Sequence, residues 1–534
     1  MNRERWLPFL GAAVGGALLG AFARAEWPFV PLGFAALVPW LLALDRARSM
    51  AVAIGSGAVA AAVFAATGFS WFAPAVAGYS GGSPALAWGV TLLLAPVLLA
   101  PQFLVFAAAR HLARRLGAGR ALVAAVAALT WVAAEWALPR LFADTLGYGL
   151  HPWAGLRQAA DVAGARGLTL LLLVSNEAIA MALSARRLRP VLVAAPLLIA
   201  ALVYGTLRER QIEERARAAP SFTAAIVQAN ITTYDKLAAV NGTFSAVTQI
   251  LDAHFELSRQ VIEAPPEPPD LIVWPETVYP TTFGAPRTPE AATFDDAIRD
   301  MVAATSVPLV FGAFEREGDA EFNAAFFLGP GEGGDFSDVR HRTYRKSILF
   351  PLTEHVPGWL DSDWLRSALP WTGRWTAGPG PRAVSFALRG GAPIAIAPLI
   401  CYEVTEPGYV AEAAEDADLL LAISNDAWFP DDTAPRLHAI VAAFRSIETR
   451  LPQLRATNSG ISALITATGE MRAATDFGAR AAFRVEVPRA PRTGTLVLAL
   501  GDWLGPVALL LAAALLGWAW LQARRRAGAR PVAR

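Results

Sequence analysis

The chain of 534 residues contains one cysteine, Cys401, and two lysines, Lys236 and Lys346. Cys401 closes the apolar run Pro393-Ile-Ala-Ile-Ala-Pro-Leu-Ile-Cys401, which reads as a strand with the thiol at its C-terminal end. Sheet proteins often present reactive groups at such ends. A thiolate is a good nucleophile, but it needs a base or a cation beside it to form at neutral pH. Taken alone, Cys401 also fits a buried apolar residue. A second apolar strand, Leu271-Ile-Val-Trp-Pro-Glu276, ends in a carboxylate, and Tyr344-Arg-Lys-Ser-Ile-Leu-Phe-Pro351 places Lys346 on a strand before a proline. Taken singly, Glu276 also reads as a solvated strand end and Lys346 as a surface charge. Together the three residue types suit covalent catalysis. The carboxylate can take the thiol proton as general base. The ammonium can keep that carboxylate charged and stabilise a developing oxyanion, with the backbone N–H of Tyr402 as a second donor.

The elements that must carry these groups fall in a polar half of the chain. Short β-rich runs recur at Thr223–Ile231, Leu271–Trp274, Pro308–Phe314, Asn323–Leu328, Thr343–Leu349, Pro393–Ile400, Leu419–Ser424, Gln453–Thr457 and Ser462–Thr466. Helical patterns lie between some of them, at Phe244–Ala264, Thr293–Thr305 and Leu437–Thr449. Alternating elements of this kind predict α/β or α+β layers, and nearly all-apolar strands predict sheets covered on both faces. Pro265-Pro-Glu-Pro-Pro269 predicts a rigid surface connection before one strand.

The other half is built for lipid. Hydrophobic residues make up 54% of the chain and charged residues 17%, which excludes a disordered, highly charged polymer. A net charge of +1 gives no reason to expect nucleic acid. One cysteine excludes a disulfide framework or a zinc site of several thiolates, and the 6 histidines contain no His-Glu-x-x-His. From Ser49 to Ala109 there is no Asp, Glu, Lys or Arg. Since a helix needs about 20 apolar residues to span the hydrocarbon core, spans are predicted near 7–23, 28–44, 51–77, 86–109, 121–139, 167–184, 190–206 and 503–521. Gly78-Tyr-Ser-Gly-Gly-Ser-Pro84 is the expected turn between the third and fourth, and Pro96 and Pro101 predict a kink in the fourth. Ser175, Asn176 and Glu177 sit inside the sixth, where an ionisable group signals either function or an interhelical hydrogen bond. If the N-terminus is cytoplasmic, the inside pieces hold 16 arginines and the short outside pieces 4, the positive-inside pattern. Both termini are then cytoplasmic and residues 207–502 lie outside. Ala23-Arg-Ala25 resembles a signal-peptide cleavage site, but the first apolar run is tight against the next span, so it is expected to remain as a span.

Trp274-Pro-Glu276, Tyr344-Arg-Lys346 and Cys401-Tyr-Glu403, in that order, resemble the nitrilase (carbon–nitrogen hydrolase) superfamily. Ser424-Asn-Asp-Ala-Trp-Phe429 and Arg455-Ala-Thr-Asn-Ser-Gly460 match it too. Seven spans before such a domain and one after it resemble one membrane branch, the apolipoprotein N-acyltransferases, and Gly147-Tyr148 and Gly167–Asn176 are similar to that branch. The resemblance implies an α-β-β-α sandwich in which Glu276 is the general base, Lys346 the oxyanion stabiliser and Cys401 the nucleophile. It implies support from Glu354 and Asn323, and a substrate pocket shaped by Tyr402, Glu403 and Trp428.

It implies three regions: 1–206 with seven membrane helices, 207–502 as the extracytoplasmic nitrilase-like domain, and 503–534 as the last span with a basic cytoplasmic tail. The implied reaction moves an acyl chain from a membrane phospholipid, typically phosphatidylethanolamine, through a cysteine thioester to the amine of diacylglyceryl-cysteine on apolipoproteins. It needs no metal or cofactor, and it places the protein in the bacterial inner membrane with its catalytic domain in the periplasm. A membrane-tethered amidase or nitrilase would use the same triad, and a non-catalytic lipoprotein-binding protein would keep the scaffold. Eight spans favour lipid substrates over the first, and retention of all three residue types argues against the second. The chain departs from the family pattern at Tyr234, in place of a tryptophan near Gln228-Ala-Asn-Ile231. It departs also at Leu352-Thr353-Glu354, in place of Phe-Gly-Glu, and at Ala434-Pro-Arg436-Leu-His438, where only the second histidine of Gly-Pro-His-x-His remains.

Overall fold

The computed structural model describes residues 6–231, 243–331 and 334–528, so Tyr234 and Lys236 lie outside the described residues. The chain divides into two units, one of Met1–Ala77, Gly81–Glu209 and Asp502–Arg534, the other of Gly78–Ser80 and Arg210–Gly501.

The first unit is helical. Among the described residues, five helices are long and apolar enough to cross a membrane: Met50–Gly68, Arg120–Ala137, Ala160–Ala185, Arg189–Ala218 and Leu504–Arg526. A sixth span arises if Pro84–Leu99 and Gln102–Arg115, bent by 57° at their junction, are taken together. The bend falls at the expected prolines, Pro96 and Pro101. The two remaining apolar segments, Leu7–Ala23 and Val30–Leu44, are shorter.

Three details differ from the expected pattern. The second segment is not one helix but a 3₁₀ turn, Val30–Phe34, followed by a short helix, Val38–Leu44. Asn176 makes this break tolerable: its Oδ1 accepts from Leu37 N at 2.8 Å and its Nδ2 donates to Gly33 O at 2.7 Å. A broken helix in hydrocarbon needs such a partner for its freed backbone groups. The third segment stops at Gly68 and restarts at Phe72, and the restarted helix runs to Ser80, so the turn begins only at Gly81. Phe69, Trp71 and Phe72 pack around Phe142 at this break, with ring centroids 5.3–6.0 Å away. The third is Ala160–Ala185, which starts earlier than expected and contains non-helical backbone at Ala163 and Gly164. Glu177 pairs with buried Arg110, which also donates to Asp45 at 3.0 Å. Asn176 and Glu177 thus tie helices together, while Ser175 donates to Leu171 O within its own helix.

The second unit is a four-layer sandwich. Its strands in chain order are β1 (Ser221–Gln228), β2 (Leu271–Val273), β3 (Tyr279–Thr282), β4 (Leu309–Glu317), β5 (Ala320–Gly329), β6 (Arg340–Arg345), β7 (Val384–Ala387), β8 (Pro393–Ile400), β9 (Leu419–Ser424), β10 (Gln453–Thr457), β11 (Ala463–Ile465), β12 (Met471–Arg472) and β13 (Ala481–Pro488). One sheet runs β13-β1-β2-β4-β5-β6 with β3 beside β4, the other β12-β11-β10-β9-β8-β7. Each is mixed, with a parallel centre: β1-β2-β4 in the first, β8-β9-β10 in the second.

The period-2 alternation of each strand sorts its residues between layers. Ala224 and Ile226 of β1 and Ile396 and Ile400 of β8 share the core between the sheets. Ala225 and Val227 face outward onto the helices Thr243–Glu263 and Pro289–Thr305, through Val247, Ile250 and Ile298. On the other side Leu399, Leu420 and Ala422 pack on Pro407–Ala413 and Thr433–Thr449, through Val410, Ala442 and Ala443. Strands buried on both faces are apolar throughout for this reason.

Candidate active site

The C-terminal ends of the parallel strands converge on one cluster of buried polar groups. Glu276 follows β2, Cys401 follows β8 and Asn425 follows β9. Lys346 stands one residue beyond β6, not within it, because that strand ends at Arg345. Glu403 explains the end of the strand: its carboxylate accepts from Ser347 N at 2.6 Å and Ile348 N at 3.3 Å and draws the backbone off the sheet.

Glu276 is 5% exposed. Its Oε1 accepts from Asn323 Nδ2 at 2.8 Å and from Lys346 Nζ at 3.3 Å, and its Oε2 accepts from Asn425 N at 2.9 Å. A carboxylate has about four acceptor positions, so these three donors leave one for a further proton. Lys346 is 1% exposed and also donates to Glu354 Oε1 at 2.8 Å. Burial works against its charge, but Glu276, Glu354 and Cys401 outweigh it and hold the ammonium well above its ordinary range. Glu354 is fixed in turn by Asn323 Nδ2 at 3.1 Å and Phe350 N at 2.7 Å.

Cys401 turns the chain from β8 into a 3₁₀ turn, Cys401–Thr405, and does so at φ 50°. A left-handed conformation costs a non-glycine residue about 1–2 kcal/mol, and such strain collects at functional sites. Burial pushes the thiol up from its ordinary range, and Glu276, Asp426 and Glu354 add to the rise while Lys346 opposes it. The thiol therefore lies within electrostatic reach of a carboxylate and a cation, in surroundings that disfavour its charged form.

Around this centre, Glu403 is fully buried and accepts five hydrogen bonds: Ile400 N at 2.7 Å, Ser347 N, Ile348 N, Tyr344 Oη at 2.9 Å and Tyr409 Oη at 3.1 Å. It joins the end of β8 to the segment carrying Lys346. Burial raises its carboxyl above the ordinary range, against the backbone donors. Tyr402 meets Phe350 edge-on at 5.0 Å, Phe350 lies 6.3 Å from Trp428, and Trp428 stacks on Phe429 at 3.8 Å, so aromatic rings line one side. Asp426 accepts from Ser424 Oγ at 2.7 Å and Arg455 Nη2 at 3.3 Å. His438, on Thr433–Thr449, reaches Cys401 O with Nε2 at 3.2 Å and Arg455 Nη2 with Nδ1 at 3.1 Å.

The structure thus gathers Glu276, Asn323, Lys346, Glu354, Cys401, Tyr402, Glu403, Trp428 and His438 in one region. Sequence reasoning left several partners without a role. Tyr344, Asn425, Asp426 and Arg455 lie inside the family motifs and Phe350 inside the segment that carries Lys346, whereas Tyr409 and Gly312 carry no motif signal. A Cβ on Gly312 would sit 2.5 Å from Thr277 N and 2.6 Å from Glu276 Cα, so this glycine lets β4 pass beneath the end of β2. Among the described residues no group of three His, Cys, Asp or Glu side chains is placed to hold a metal ion.

The family model for carbon-nitrogen hydrolases matches residues 223–490, and the model for the apolipoprotein N-acyltransferase N-terminal domain matches residues 15–178. The apolipoprotein N-acyltransferase of Chlorobaculum tepidum is 26% identical over 521 residues, covering 90% of this chain and 91% of its own. That of Geobacter metallireducens is 30% identical over 504 residues, covering 90% of this chain and 89% of its own. A CN-hydrolase superfamily protein of Xanthomonas campestris covers 54% of this chain and 96% of its own at 17% identity and a TM-score of 0.36. With both family models matched in order and relatives aligned over nine-tenths of its length, the chain belongs to the apolipoprotein N-acyltransferase family, within the nitrilase (carbon–nitrogen hydrolase) superfamily.

Proposed function

We propose that this bacterial membrane acyltransferase N-acylates lipoproteins by drawing the acyl chain from a phospholipid through a thioester on Cys401. The observation that carries the reading is the placement of the lone cysteine, at the end of β8, within electrostatic reach of a buried Lys346–Glu276 pair. Glu276 takes the thiol proton as sulfur attacks the phospholipid ester carbonyl. The tetrahedral oxyanion is met by Lys346 Nζ and the Tyr402 N–H. The C–O bond breaks, Glu276 returns the proton to the departing lysophospholipid, and the acyl group stays on sulfur. The amine of a diacylglyceryl-cysteine then attacks the thioester. Glu276 accepts the amine proton, the C–S bond breaks, and the thiolate recovers that proton as the N-acyl amide leaves.

The same reading assigns eight spans, both termini to the cytoplasm and the catalytic unit to the periplasmic side, supported by the 16-to-4 distribution of arginines. Both substrates are lipids that partition into the bilayer, which gives the apolar helices a purpose a soluble amidase would lack.

The test is peptide mass spectrometry after incubation with phosphatidylethanolamine, with Cys401→Ser alongside. A hydroxylamine-labile acyl group on Cys401, absent from the variant, is expected. A free thiol in folded protein with lipid present overturns the phospholipid-donor reading and turns attention to amide and nitrile substrates.

A further inference from the structure

The peptide bond between Cys401 and Tyr402 has two ends. One is the Tyr402 N–H, assigned above to the oxyanion. The other is the Cys401 carbonyl, and because the peptide is planar, whatever grips that oxygen also aims the N–H. His438 is the side chain that grips it: Nε2 lies 3.2 Å from Cys401 O. The ring's protonation pattern follows from its other side. Arg455 Nη2 lies 3.1 Å from Nδ1. A guanidinium has donors and no acceptor, so Nδ1 accepts, and a neutral ring then carries its proton on Nε2 and donates it to the carbonyl. Arg455 is itself held by the carboxylate of Asp426 at 3.3 Å and by Ile461 O, which accepts from its Nε at 3.2 Å. Asp426 Oδ1 also faces Nδ1, but from 3.7 Å, farther than Arg455 Nη2 at 3.1 Å.

We propose that His438 is a positioning residue for the oxyanion site: held in one tautomer by Arg455, it orients and polarises the Cys401–Tyr402 peptide so that the Tyr402 N–H faces the developing charge. Two features make this more than packing. Cys401 sits at φ 50°, the strained point where the chain leaves β8 for the 3₁₀ turn, and His438 binds the carbonyl at that point from a separate helix. A donor on the carbonyl also draws electron density across the amide and strengthens its N–H as a donor, the cooperativity of hydrogen-bond chains. The inference rests on the proposed role of Cys401 as an acyl-accepting nucleophile, though not on which lipid supplies the acyl chain.

The experiment separates a reaction that builds an oxyanion from one that does not. The full-length protein in detergent is treated with p-nitrophenyl butyrate, which acylates Cys401 through a tetrahedral intermediate, and separately with iodoacetamide, which alkylates it by direct displacement. His438→Leu removes the donor at similar bulk, and His438→Gln restores an N–H near the position of Nε2. Removing one oxyanion donor costs about 10²–10³-fold, so misaiming one is expected to slow acylation by about 10–10²-fold in His438→Leu. Alkylation at the same pH should stay within about twofold, and His438→Gln should recover acylation to within about threefold of wild type. Wild-type acylation in His438→Leu overturns the inference. So does a matched loss of acylation and alkylation, which would mean that the thiol itself had moved or the fold had failed. If wild type accepts the activated ester but no phospholipid, the donor assignment falls and this inference stands. If wild type is acylated by neither, both fall.

Discussion

Gly312→Ala is the substitution whose effect the geometry sets most directly. Gly312 lies on β4 under the residue proposed as base, and its backbone conformation is one that alanine adopts freely, so only space is at issue. The new Cβ would lie 2.5 Å from Thr277 N, 2.6 Å from Glu276 Cα and 2.9 Å from Glu276 C. All three are backbone atoms, so no flexible side chain can yield. Ordinary contact begins near 3.4 Å, so the end of β2 must move by about 0.9 Å. Glu276 Oε2 accepts from Asn425 N at 2.9 Å, and a displacement of that size carries the pair beyond hydrogen-bond range. Overpacking of this kind costs about 1–3 kcal/mol of stability, whereas misplacing a reacting group by about 1 Å costs about 10²-fold in rate. The expected result is a protein that still folds, with a lowered melting temperature, and acylates Cys401 about 10²-fold more slowly with p-nitrophenyl butyrate in a single turnover. Wild-type acylation by folded Gly312→Ala would refute the claim that Glu276 must be held where β4 now allows it.

The pH dependence of Cys401 alkylation should report a raised thiol. With burial and three carboxylates against the thiolate, the iodoacetamide rate should still be climbing above pH 9; Lys346→Met should move the profile further up and Glu276→Gln down. Glu276→Gln should nevertheless block acylation at neutral pH, because the base is gone; a plateau below pH 8 in wild type, or normal thioester formation in this variant, would contradict the assignment. Glu403→Gln should keep the four hydrogen bonds made to Oε1 and turn an N–H toward Ile400 N, which now donates to Oε2 at 2.7 Å. One unsatisfied buried donor costs about 1–3 kcal/mol in thermal unfolding, and no loss would show that the backbone around Glu403 adapts. Protease added to intact spheroplasts should cut within residues 207–502, and complete protection there would overturn the proposed orientation.

Glu276 and Cys401 were legible because each follows an apolar strand, and the ends of buried parallel strands are where a sandwich presents polar groups; Lys346 follows the polar, antiparallel β6 and stood out instead as one of only two lysines. Strands β8 and β9 are apolar enough to be placed to the residue. The weaker elements were hidden for physical reasons. β13 carries Arg484 and Glu486 on its exposed alternation and so lacks an apolar run, and β12 has only two residues. β6 was expected at Thr343–Leu349 and runs Arg340–Arg345; its end was set too late because nothing local to Ser347 announces that Glu403, more than fifty residues away, takes its N–H. In the membrane unit, hydropathy located the apolar segments but missed the break before Val38, since the residue that satisfies it, Asn176, lies on another helix. Gly312 is invisible in one dimension, because its requirement is an approach between two strands.

A second glutamate beside Lys346 has a purpose on the proposed roles. A lysine buried to 1% exposure keeps its proton only while anions compensate for lost water. Were Glu276 the sole anion, its taking of the thiol proton would strip Lys346 of that compensation at the moment the oxyanion needs a cation. Glu354 Oε1, at 2.8 Å against 3.3 Å for Glu276 Oε1, is the nearer partner and does not change charge in the reaction. Asn323 Nδ2 spans both carboxylates, at 2.8 Å and 3.1 Å, and keeps them apart from each other and close to the ammonium. The site therefore separates two duties: Glu354 maintains the charge on Lys346, and Glu276 is free to cycle its proton. Glu354→Gln should then slow acylation while lowering the thiol's titration only slightly, whereas Glu276→Gln, which removes the larger of the two contributions, should lower it further. A shift of the alkylation profile in Glu354→Gln as large as that in Glu276→Gln would show that the two carboxylates act as one, and the division of roles would have to be given up.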